Sequence, residues 1–385
     1  MQRVYFDYSA TTPLDPRVLD AMQPYWSAHF GNASSVHAFG REARLALEES
    51  REQIARAIGA SSDELFFTAG GTESDNHALT GVLTHPDRKG NTGLVTSLIE
   101  HHAVLHTAER LREDGANVVF ARPGPNGVVD PDEVRSLSGP NTGMVSVMHA
   151  NNETGVIQPI EKIVAVAHEQ GALFHSDAVQ TLGKISIDMR SLPVDMLSFS
   201  AHKIHGPKGI GAIYIRKGTK IRSFLVGGAQ ESNRRAGTES VPLAVGFAKA
   251  VLLSVEGMAG ESKRLELLKA NLKSKLLHSH PALRINGEGA PSLANILSVS
   301  FDSSVEPIDG ESLIMGMDLK GVAVTSGSAC TSGSLQPSHV LLAMGRDEKT
   351  ARATIRFSFG RFTKEEEIDI AVAALDEVVR TASKR

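Results

Sequence analysis

Short apolar runs alternate along the chain with longer stretches in which apolar residues recur every three or four positions. The short runs are typical of buried strands, and the longer stretches are typical of one-faced helices. Strands are predicted over residues 64–68, 93–97, 117–120, 144–148, 172–175, 196–199 and 210–215. Between them, the pattern predicts a helix opening at Thr72, a helix over residues 102–113 and a helix beginning near Ile160. Strands that alternate with helices indicate βαβ units and a mostly parallel, buried sheet.

The pattern changes near residue 241. A long helix is predicted over residues 241–277, followed by a strand at 296–301, a helix at 310–317, a Ser/Gly-rich loop at 325–334, a strand at 353–358 and a last helix. We therefore expect an α/β fold with a large domain over residues 15–255. A smaller α+β domain would combine residues 1–14 with residues 256–385 and carry the Ser/Gly-rich loop.

Composition and charge exclude several classes of protein. The 385 residues are 41% hydrophobic and 22% charged, which is ordinary for a globular protein. A formal net charge of −4 gives no general attraction to nucleic acid or to anionic membranes. The first residues lack the apolar segment of a secretory signal, and the most apolar stretch, residues 241–255, is too short to cross a bilayer. We expect a cytoplasmic protein with neither nucleic-acid nor membrane partners.

The chain contains a single cysteine, Cys330, inside the Ser/Gly-rich loop. One cysteine excludes an internal disulfide and a zinc site built on thiolates. A free cysteine is usually a small buried residue, so its position in such a loop marks Cys330 as a candidate reactive group. We expect no metal site, because His202 and His205 have no carboxylate or cysteine near them at ligand spacing.

Polar clusters follow five of the predicted strands, at residues 68–76, 100–102, 149–155, 175–180 and 198–209. Ligand sites of parallel sheets lie at the carboxyl ends of the strands, which is where these clusters fall. In the first cluster, the glycines and Thr72 at a helix start offer N–H groups and a hydroxyl to an anion. The alternative is a tight turn in which Thr72 is only the N-cap.

Each of the other clusters also has a chemical and an ordinary interpretation. His101 could stack on a flat ligand, or it could simply begin a helix. The amides at residues 151–152 could hold a carboxylate or form a turn. Asp177 needs a cationic partner if it is buried, and otherwise it faces solvent. Lys203, between His202 and His205, would have a lowered pKa if held among cations and desolvated, and could then form a Schiff base.

Taken together, these groups fit pyridoxal phosphate, whose protein partners are a Schiff-base lysine and an acid at the ring nitrogen. The motifs also resemble the cysteine desulfurases of the NifS/IscS type, within the class V aminotransferase-like, fold-type I enzymes that use this cofactor. The resemblance covers almost the whole chain, through residues 5–13, 31–37, 72–76, 100–101, 151–155, 175–180, 200–203, 235–238, 326–332 and 355–358.

The resemblance implies a role for each matching residue. Lys203 would hold the cofactor as a Schiff base and move the substrate proton, and His101 would stack on the ring and take part in acid–base steps. Asp177 would pair with the ring nitrogen and Gln180 with the ring oxygen. The residues implied to bind the cofactor phosphate are Gly71, Thr72, Ser200, His202 and, from the other subunit of a homodimer, Thr238. The residues implied to hold the substrate carboxylate are Asn152 and Arg356.

The resemblance further implies conversion of L-cysteine to L-alanine, with the sulfur left as a persulfide on the nucleophile Cys330. The form of the Ser/Gly-rich loop resembles the long-loop subgroup, which delivers sulfur to an acceptor protein such as an iron–sulfur scaffold. This sequence departs from the pattern at residues 69–72, which read Ala-Gly-Gly-Thr where many relatives have Ser-Gly-Ala-Thr. It also ends at residue 385, soon after the last helix, where scaffold-docking relatives often have a longer tail.

Three other hypotheses compete with this one. Another pyridoxal phosphate enzyme, such as a selenocysteine lyase or an aminotransferase, would share the fold, and an aminotransferase would not need Cys330. A non-catalytic sulfur-relay or scaffold protein would keep the fold and carry no cofactor. A thiol hydrolase using Cys330 and a histidine is disfavoured, because the sequence shows no Cys–His elbow context.

Overall fold

A computed structural model describes residues 3–88, 90–327 and 336–382 of the chain. Cys330, the predicted nucleophile, lies outside the described residues. The strands are β1 (Val4–Tyr5), β2 (Leu65–Thr68), β3 (Gly93–Ser97), β4 (Val118–Ala121), β5 (Thr142–Ser146), β6 (Leu173–Asp177), β7 (Met196–Ser200), β8 (Gly211–Ile215), β9 (Leu283–Ile285), β10 (Ile296–Phe301), β11 (Val322–Ala323) and β12 (Thr354–Ser358). The α-helices are α1 (Pro16–Met22), α2 (Pro24–Ser27), α3 (Ala38–Ala57), α4 (Gly71–Leu83), α5 (His102–Glu113), α6 (Pro131–Leu137), α7 (Ile160–Glu169), α8 (Val241–Ser279), α9 (Gly310–Leu319), α10 (His339–Ala343), α11 (Glu348–Arg352) and α12 (Glu366–Ala382).

The central sheet has seven strands in the order β2-β8-β7-β6-β5-β3-β4. Neighbouring strands from β7 to β4 pair in parallel, whereas β8 is antiparallel to both β7 and β2. Parallel neighbours need a long crossover, and the short connection between Ser200 and Gly211 leaves room only for an antiparallel return. The prediction of a mostly parallel sheet is therefore confirmed.

Most predicted elements lie where the sequence pattern puts them, within one or two residues at their ends. Two differences stand out. Strand β5 begins two residues earlier than predicted, because Thr142 already pairs with Gly93 of β3. Helix α3 was not predicted, because its buried face contains small residues such as Ala43, Ala46 and Ser50, which give a weak hydrophobic signal.

Two separate hydrophobic cores pack around different sheets. The first surrounds the central sheet and includes Phe174 and Phe199. The second lies against the three-stranded sheet β12-β10-β9 and includes Phe6 of the N-terminal segment. Helix α8 contributes to both, since Phe247 belongs to the first core and Leu272 to the second. The expected boundary at residues 255 and 256 therefore falls within a continuous helix, and the domain limits remain a prediction.

Helix α8 also bears on the membrane question. The helix continues from the apolar stretch through Ser279 and has 39 residues, so the prediction that this part of the chain is too short to cross a bilayer is wrong. By length and composition alone, this one helix of the described chain could cross a membrane. Buried core helices of soluble proteins pass the same test, and Phe247, Val251 and Leu272 lie inside the two cores. The absence of a membrane partner remains a prediction.

Candidate functional site

A cavity of about 380 Å³ lies at the carboxyl ends of the parallel strands. The predicted site residues that line it are Gly71, Thr72, His101, Asn152, Asp177, Gln180, Ser200, His202, Lys203 and Arg356. Thr238 does not reach this cavity and lines another one, beside Ala69 and Gly209. The structure therefore brings together all the described site residues except Thr238.

The start of α4 forms an anion cradle at one end of the cavity. Its N-cap is Gly70, which has no side chain to bond the first N–H groups of the helix, so these groups can bind an anion. A Cβ added to Gly71 would lie 2.6 Å from Cγ2 of Val179, so a larger residue here would require the Val179 side chain to move. The alternative interpretation of Thr72 as an N-cap is wrong, because Thr72 already lies inside the helix.

His101 occupies the N-cap position of α5 and also lines the cavity. It therefore begins a helix, as in the ordinary interpretation, and is placed to contact a ligand, as in the chemical one. Its Nδ1 accepts a hydrogen bond of 3.1 Å from the Ala103 N–H, which leaves the proton of the neutral ring on Nε2. Burial, together with the charges of Lys203 and the nearby His102, lowers the pKa of His101 to about 4. The imidazole is therefore neutral near pH 7, as suits a ring that packs against a flat ligand.

Two buried carboxylates lie on one side of the cavity. Asp177, at the end of β6, accepts a hydrogen bond of 2.8 Å from the Val179 N–H, and burial raises its pKa to about 6. Asp75 of α4 is buried beside it, and among the described residues its Oδ1 has no hydrogen-bond partner. Desolvation and the charge of Asp177 raise the pKa of Asp75 well above its usual range. A cationic group in the cavity would stabilise both carboxylates.

Lys203 lies in a short 3₁₀ turn directly after β7. Its Nζ donates to the carbonyl oxygens of Ser9 at 2.5 Å and Ala10 at 2.7 Å. Burial, followed by the charge of Arg356, lowers the pKa of Lys203 to about 8. The lowered pKa and desolvation as its main cause agree with the sequence analysis, but the neighbouring cation is Arg356. The flanking histidines are not the cause, since burial lowers the pKa of His202 and of His205 to about 4 and leaves both neutral.

Gln180 connects the cavity to a lysine that the sequence analysis did not single out. Its Nε2 donates to the Ser9 carbonyl at 3.0 Å, and its Oε1 accepts a hydrogen bond of 3.0 Å from Nζ of Lys184. The four-residue spacing between the two side chains is the signal that could have suggested this contact.

Arg356 reaches the cavity from β12, at the edge of the second core. It is 4% exposed, and it donates from Nη1 to the Asn152 carbonyl at 2.8 Å and from Nη2 to Oδ1 of Asp7 at 2.7 Å. Its Nε has no partner among the described residues. Arg356 lies buried in the middle of its strand. A buried guanidinium with a free donor suits a carboxylate ligand.

The two histidines near Lys203 each make one local contact through Nδ1. His202 Nδ1 lies 3.1 Å from Oγ1 of Thr11, and His205 Nδ1 lies 3.0 Å from the Pro13 carbonyl oxygen. Over residues 3–88, 90–327 and 336–382, no group of three or more His, Cys, Asp or Glu side chains is placed to hold a metal ion. The expected lack of a metal remains a prediction.

Glu153 is a further buried carboxylate that the sequence analysis quoted only as part of a motif. Its Oε2 accepts a hydrogen bond from the Ser338 hydroxyl, and it lies 2.8 Å from the position that a Cβ on Gly327 would take. Gly327 and Ser338 lie on either side of residues 328–335, which the structure does not describe. Sequence reasoning missed this residue because its two partners are more than 170 positions away along the chain.

The groups that line the cavity fit pyridoxal phosphate. The start of α4 with Ser200 provides donors for a phosphate, Asp177 provides a buried carboxylate for a ring nitrogen, and Lys203 provides an amine with a lowered pKa. Oδ1 of Asp75 accepts no hydrogen bond from the described residues and lies 3.6 Å from Nε2 of the neutral His175, so this carboxyl group has no charged partner in the protein parts described.

Comparison with known proteins gives consistent results. The sequence matches the family described as aminotransferase class-V over residues 4–370. It is 44% identical over 378 residues to the cysteine desulfurase IscS of Dictyoglomus turgidum, covering 98% of this chain and 95% of that protein. It is 46% identical over 380 residues to the cysteine desulfurase IscS of Anaeromyxobacter dehalogenans, covering 98% of this chain and 92% of that protein. A solved structure of a NifS-like protein superposes with a TM-score of 0.90 and 39% identity, covering 99% of this chain and 100% of that chain.

Proposed function

The chain belongs to the class-V aminotransferase family, in its cysteine desulfurase branch, and on that premise we propose that it is a pyridoxal phosphate-dependent cysteine desulfurase. It converts L-cysteine to L-alanine and passes the sulfur, as a persulfide on Cys330, to acceptors for iron–sulfur cluster or other sulfur cofactor assembly. The observation that carries this proposal is the single cavity where Lys203, Asp177 and His101 meet the anion cradle of α4.

Within this proposal, the cofactor supplies a conjugated ring that stabilises negative charge at the substrate Cα. Gly71, Thr72, Ser200 and His202 bind its phosphate, and Asp177 pairs with its ring nitrogen. Lys203 holds it covalently through Nζ and then carries the proton of the substrate Cα. A pKa near 8 suits this work, because an appreciable fraction of the amine is neutral at physiological pH.

The substrate carboxylate is held by Arg356 and Asn152. Support comes from the buried guanidinium, which already donates to the Asn152 backbone and keeps a free Nε. Charge-assisted hydrogen bonds of this kind fix orientation as well as affinity. His101, neutral with its proton on Nε2, packs against the ring and can exchange a proton with the substrate.

Cys330 accepts the sulfur. Its thiolate attacks the substrate sulfur, so that an S–S bond forms, the C–S bond breaks and the amino acid leaves as alanine after protonation. No second cysteine exists in the chain to resolve the persulfide, so the sulfur must leave to another molecule. An acceptor protein such as an iron–sulfur scaffold is the proposed recipient.

We further propose a cytoplasmic homodimer, with no nucleic-acid or membrane partner. Thr238 lies away from the site cavity of its own chain, as a residue that completes the phosphate site of a second subunit would. Arg235 of the same segment donates to Glu73, in the first turn of α4, at 2.9 Å. This segment therefore lies near the anion cradle while Thr238 remains outside it.

The test supplies L-cysteine and dithiothreitol to the purified yellow protein and measures alanine and sulfide together. We expect equal yields, and we expect Lys203→Ala to abolish both. The matched control is Lys220→Ala, which removes an exposed lysine paired with Asp87 and should leave turnover unchanged. Unequal yields, or turnover that survives Lys203→Ala, would contradict the proposal.

A second variant separates the desulfurase from its rivals. Cys330→Ala should abolish sulfide release from L-cysteine, since the persulfide has no other site in the chain. Full release by this variant would indicate a lyase that eliminates sulfur or selenium without a protein nucleophile. A colourless purified protein without pyridoxal phosphate would indicate a non-catalytic relay protein.

A further inference from the structure

Lys184 is a half-buried lysine next to the site that the proposed function does not use. Its Nζ donates to Oε1 of Gln180 at 3.0 Å. Gln180 lines the site cavity, whereas Lys184 lines a neighbouring cavity of about 410 Å³ that shares Lys203 with the first. Lys184 thus lies directly behind the amide that faces the cofactor position.

We propose that Lys184 is a positioning residue: its ammonium fixes the orientation of the Gln180 amide, so that this amide presents only N–H donors to the ring oxygen of the bound cofactor. This inference rests on the proposed function, because it concerns the group that Gln180 faces.

The orientation of a side-chain amide is decided by its hydrogen-bond partners, because its O and NH₂ groups have nearly the same shape but the O accepts and the NH₂ donates. An ammonium can only donate, so it selects the Oε1 end of Gln180. At the other end, Nε2 donates to the Ser9 carbonyl at 3.0 Å, which can only accept. Both contacts select the same orientation, and Nε2 is left as the end available to the ring oxygen.

The charge of Lys184 also supports a role toward the bound cofactor. Over the described parts of the chain, no carboxylate lies within ion-pair distance of its Nζ. Burial and the charges of Lys203 and Arg356 lower the pKa of Lys184 to about 7. A half-buried ammonium without a counter-ion is costly, and the negative ring oxygen of the bound cofactor would reduce that cost.

Charged and titratable groups surround Lys184 on several elements. They are Lys203 and His202 after β7, His205 in the same turn, Arg356 on β12, and Glu256 of α8 and Arg361 across the neighbouring cavity. The histidines are neutral near pH 7, because burial lowers the pKa of both to about 4. Arg17 and Glu261 also line the neighbouring cavity, and Asp177 lines the site cavity with Gln180, so the field at Gln180 combines these carboxylates with the lysine and arginine charges.

The experiment measures the visible absorbance of the loaded protein as a function of pH. Lys184→Met removes a positive charge and the contact that orients the amide, and both changes favour the protonated form of the chromophore. We expect the pH midpoint of the absorbance change to rise by about one to two units. Lys184→Arg keeps the positive charge and the N–H donors, so its pH midpoint should equal that of the wild-type protein.

A double-mutant cycle distinguishes positioning from general support of the structure. If Lys184 acts through Gln180, most of the shift caused by Lys184→Met should disappear in a Gln180→Leu background. Equal shifts in both backgrounds, or an unchanged midpoint in Lys184→Met with a normal cofactor content, would overturn the proposal. If Lys184→Met fails to fold, Lys184→Leu decides by the same comparison, because it is also neutral and unable to donate.

The same measurement separates this inference from the proposed function. A wild-type protein that takes up no pyridoxal phosphate and shows no visible band contradicts both. A yellow wild-type protein with active turnover and an unchanged Lys184→Met midpoint contradicts only the role of Lys184.

Discussion

The amine of Lys203 lies in surroundings that favour its neutral form. It is held against the carbonyls of Ser9 and Ala10, and burial lowers its pKa to about 8 from the 10.5 of a free lysine. A buried amine of this kind is protonated below pH 8 and neutral above it. Only the neutral amine has the lone pair that attacks an aldehyde.

Uptake of pyridoxal phosphate by the cofactor-free protein should therefore depend on pH. We expect the rate of cofactor uptake to rise about tenfold per pH unit between pH 6 and 8 and to level off near the pKa of about 8. Stopped-flow absorbance after mixing with excess cofactor measures this rate. A profile that keeps rising to pH 10 would show that the amine behaves as a free lysine, and Lys203→Ala provides the baseline.

Arg356→Lys tests the residue proposed to hold the substrate carboxylate. Lysine keeps the charge but lacks the two Nη atoms that contact Asn152 and Asp7. It also lacks the Nε that has no partner among the described residues. Because charge-assisted hydrogen bonds contribute about 1.5–3 kcal/mol, we expect KM for L-cysteine to rise roughly 10- to 100-fold. Steady-state kinetics would contradict this role if KM stayed unchanged while kcat fell.

At the scale of elements, the segment at Glu231, Ser232 and Asn233 has three successive non-glycine residues with positive φ, at 47°, 55° and 63°. Such residues are disfavoured by roughly 1–2 kcal/mol each. Glu231 holds the segment, because its carboxylate accepts from both Nη atoms of Arg51, at 2.6 and 2.7 Å, and from the Phe67 N–H at 2.8 Å. The ion pair thus anchors the segment to α3 and β2.

Glu231→Gln should therefore be strongly destabilising. Removing the Glu231 charge leaves the buried guanidinium of Arg51 with only the half-exposed Glu48 as counter-ion, which costs about 3 kcal/mol. Urea unfolding of the purified protein measures this loss of free energy of unfolding. The control is Asp63→Asn, which breaks an exposed pair with Lys217 and should cost no more than about 1 kcal/mol. Equal effects of the two changes would show that the buried pair has no special role.

Element positions were largely readable from the sequence, and the exceptions have physical causes. Strands β3 and β10 were predicted with their observed limits, because continuous apolar runs mark strands buried on both faces. Helix α3 was missed because alanine and serine form much of its buried face. The sequence pattern predicted that α8 continues beyond its apolar stretch. It did not show that the whole helix is long enough to cross a bilayer.

At the scale of the molecule, apolar side chains are left exposed near the N-terminus. Phe30, Val36 and Phe39 are 68%, 88% and 53% exposed, and the rings of Phe30 and Phe39 stack with centroids 5.6 Å apart. Exposed apolar patches of this kind commonly mark protein interfaces. The patch supports the proposed homodimer.

The double variant Phe30→Asp, Val36→Asp should weaken the dimer. Sedimentation velocity of the wild-type protein should give twice the chain mass of 41.1 kDa, and the variant should shift toward a single chain at micromolar concentration. The control is Leu319→Asp, an exposed apolar residue at the end of α9 that should leave the mass unchanged. A wild-type protein that sediments as a single chain would contradict the dimer proposal.

The sequence alone determined the class of fold and where the polar clusters lie, because strand and helix periodicities are local and the clusters follow the strands directly. The roles of single residues such as Gln180 and Arg356 came from the resemblance of their motifs to a family. Only the tertiary structure decided which side chains meet and in what state. It brought Arg356 of β12 and the carbonyls of Ser9 and Ala10 into the cavity, and it placed Lys184 behind Gln180. Burial and contacts between distant segments set pKa values and hydrogen-bond partners, and neither is written in the order of nearby residues.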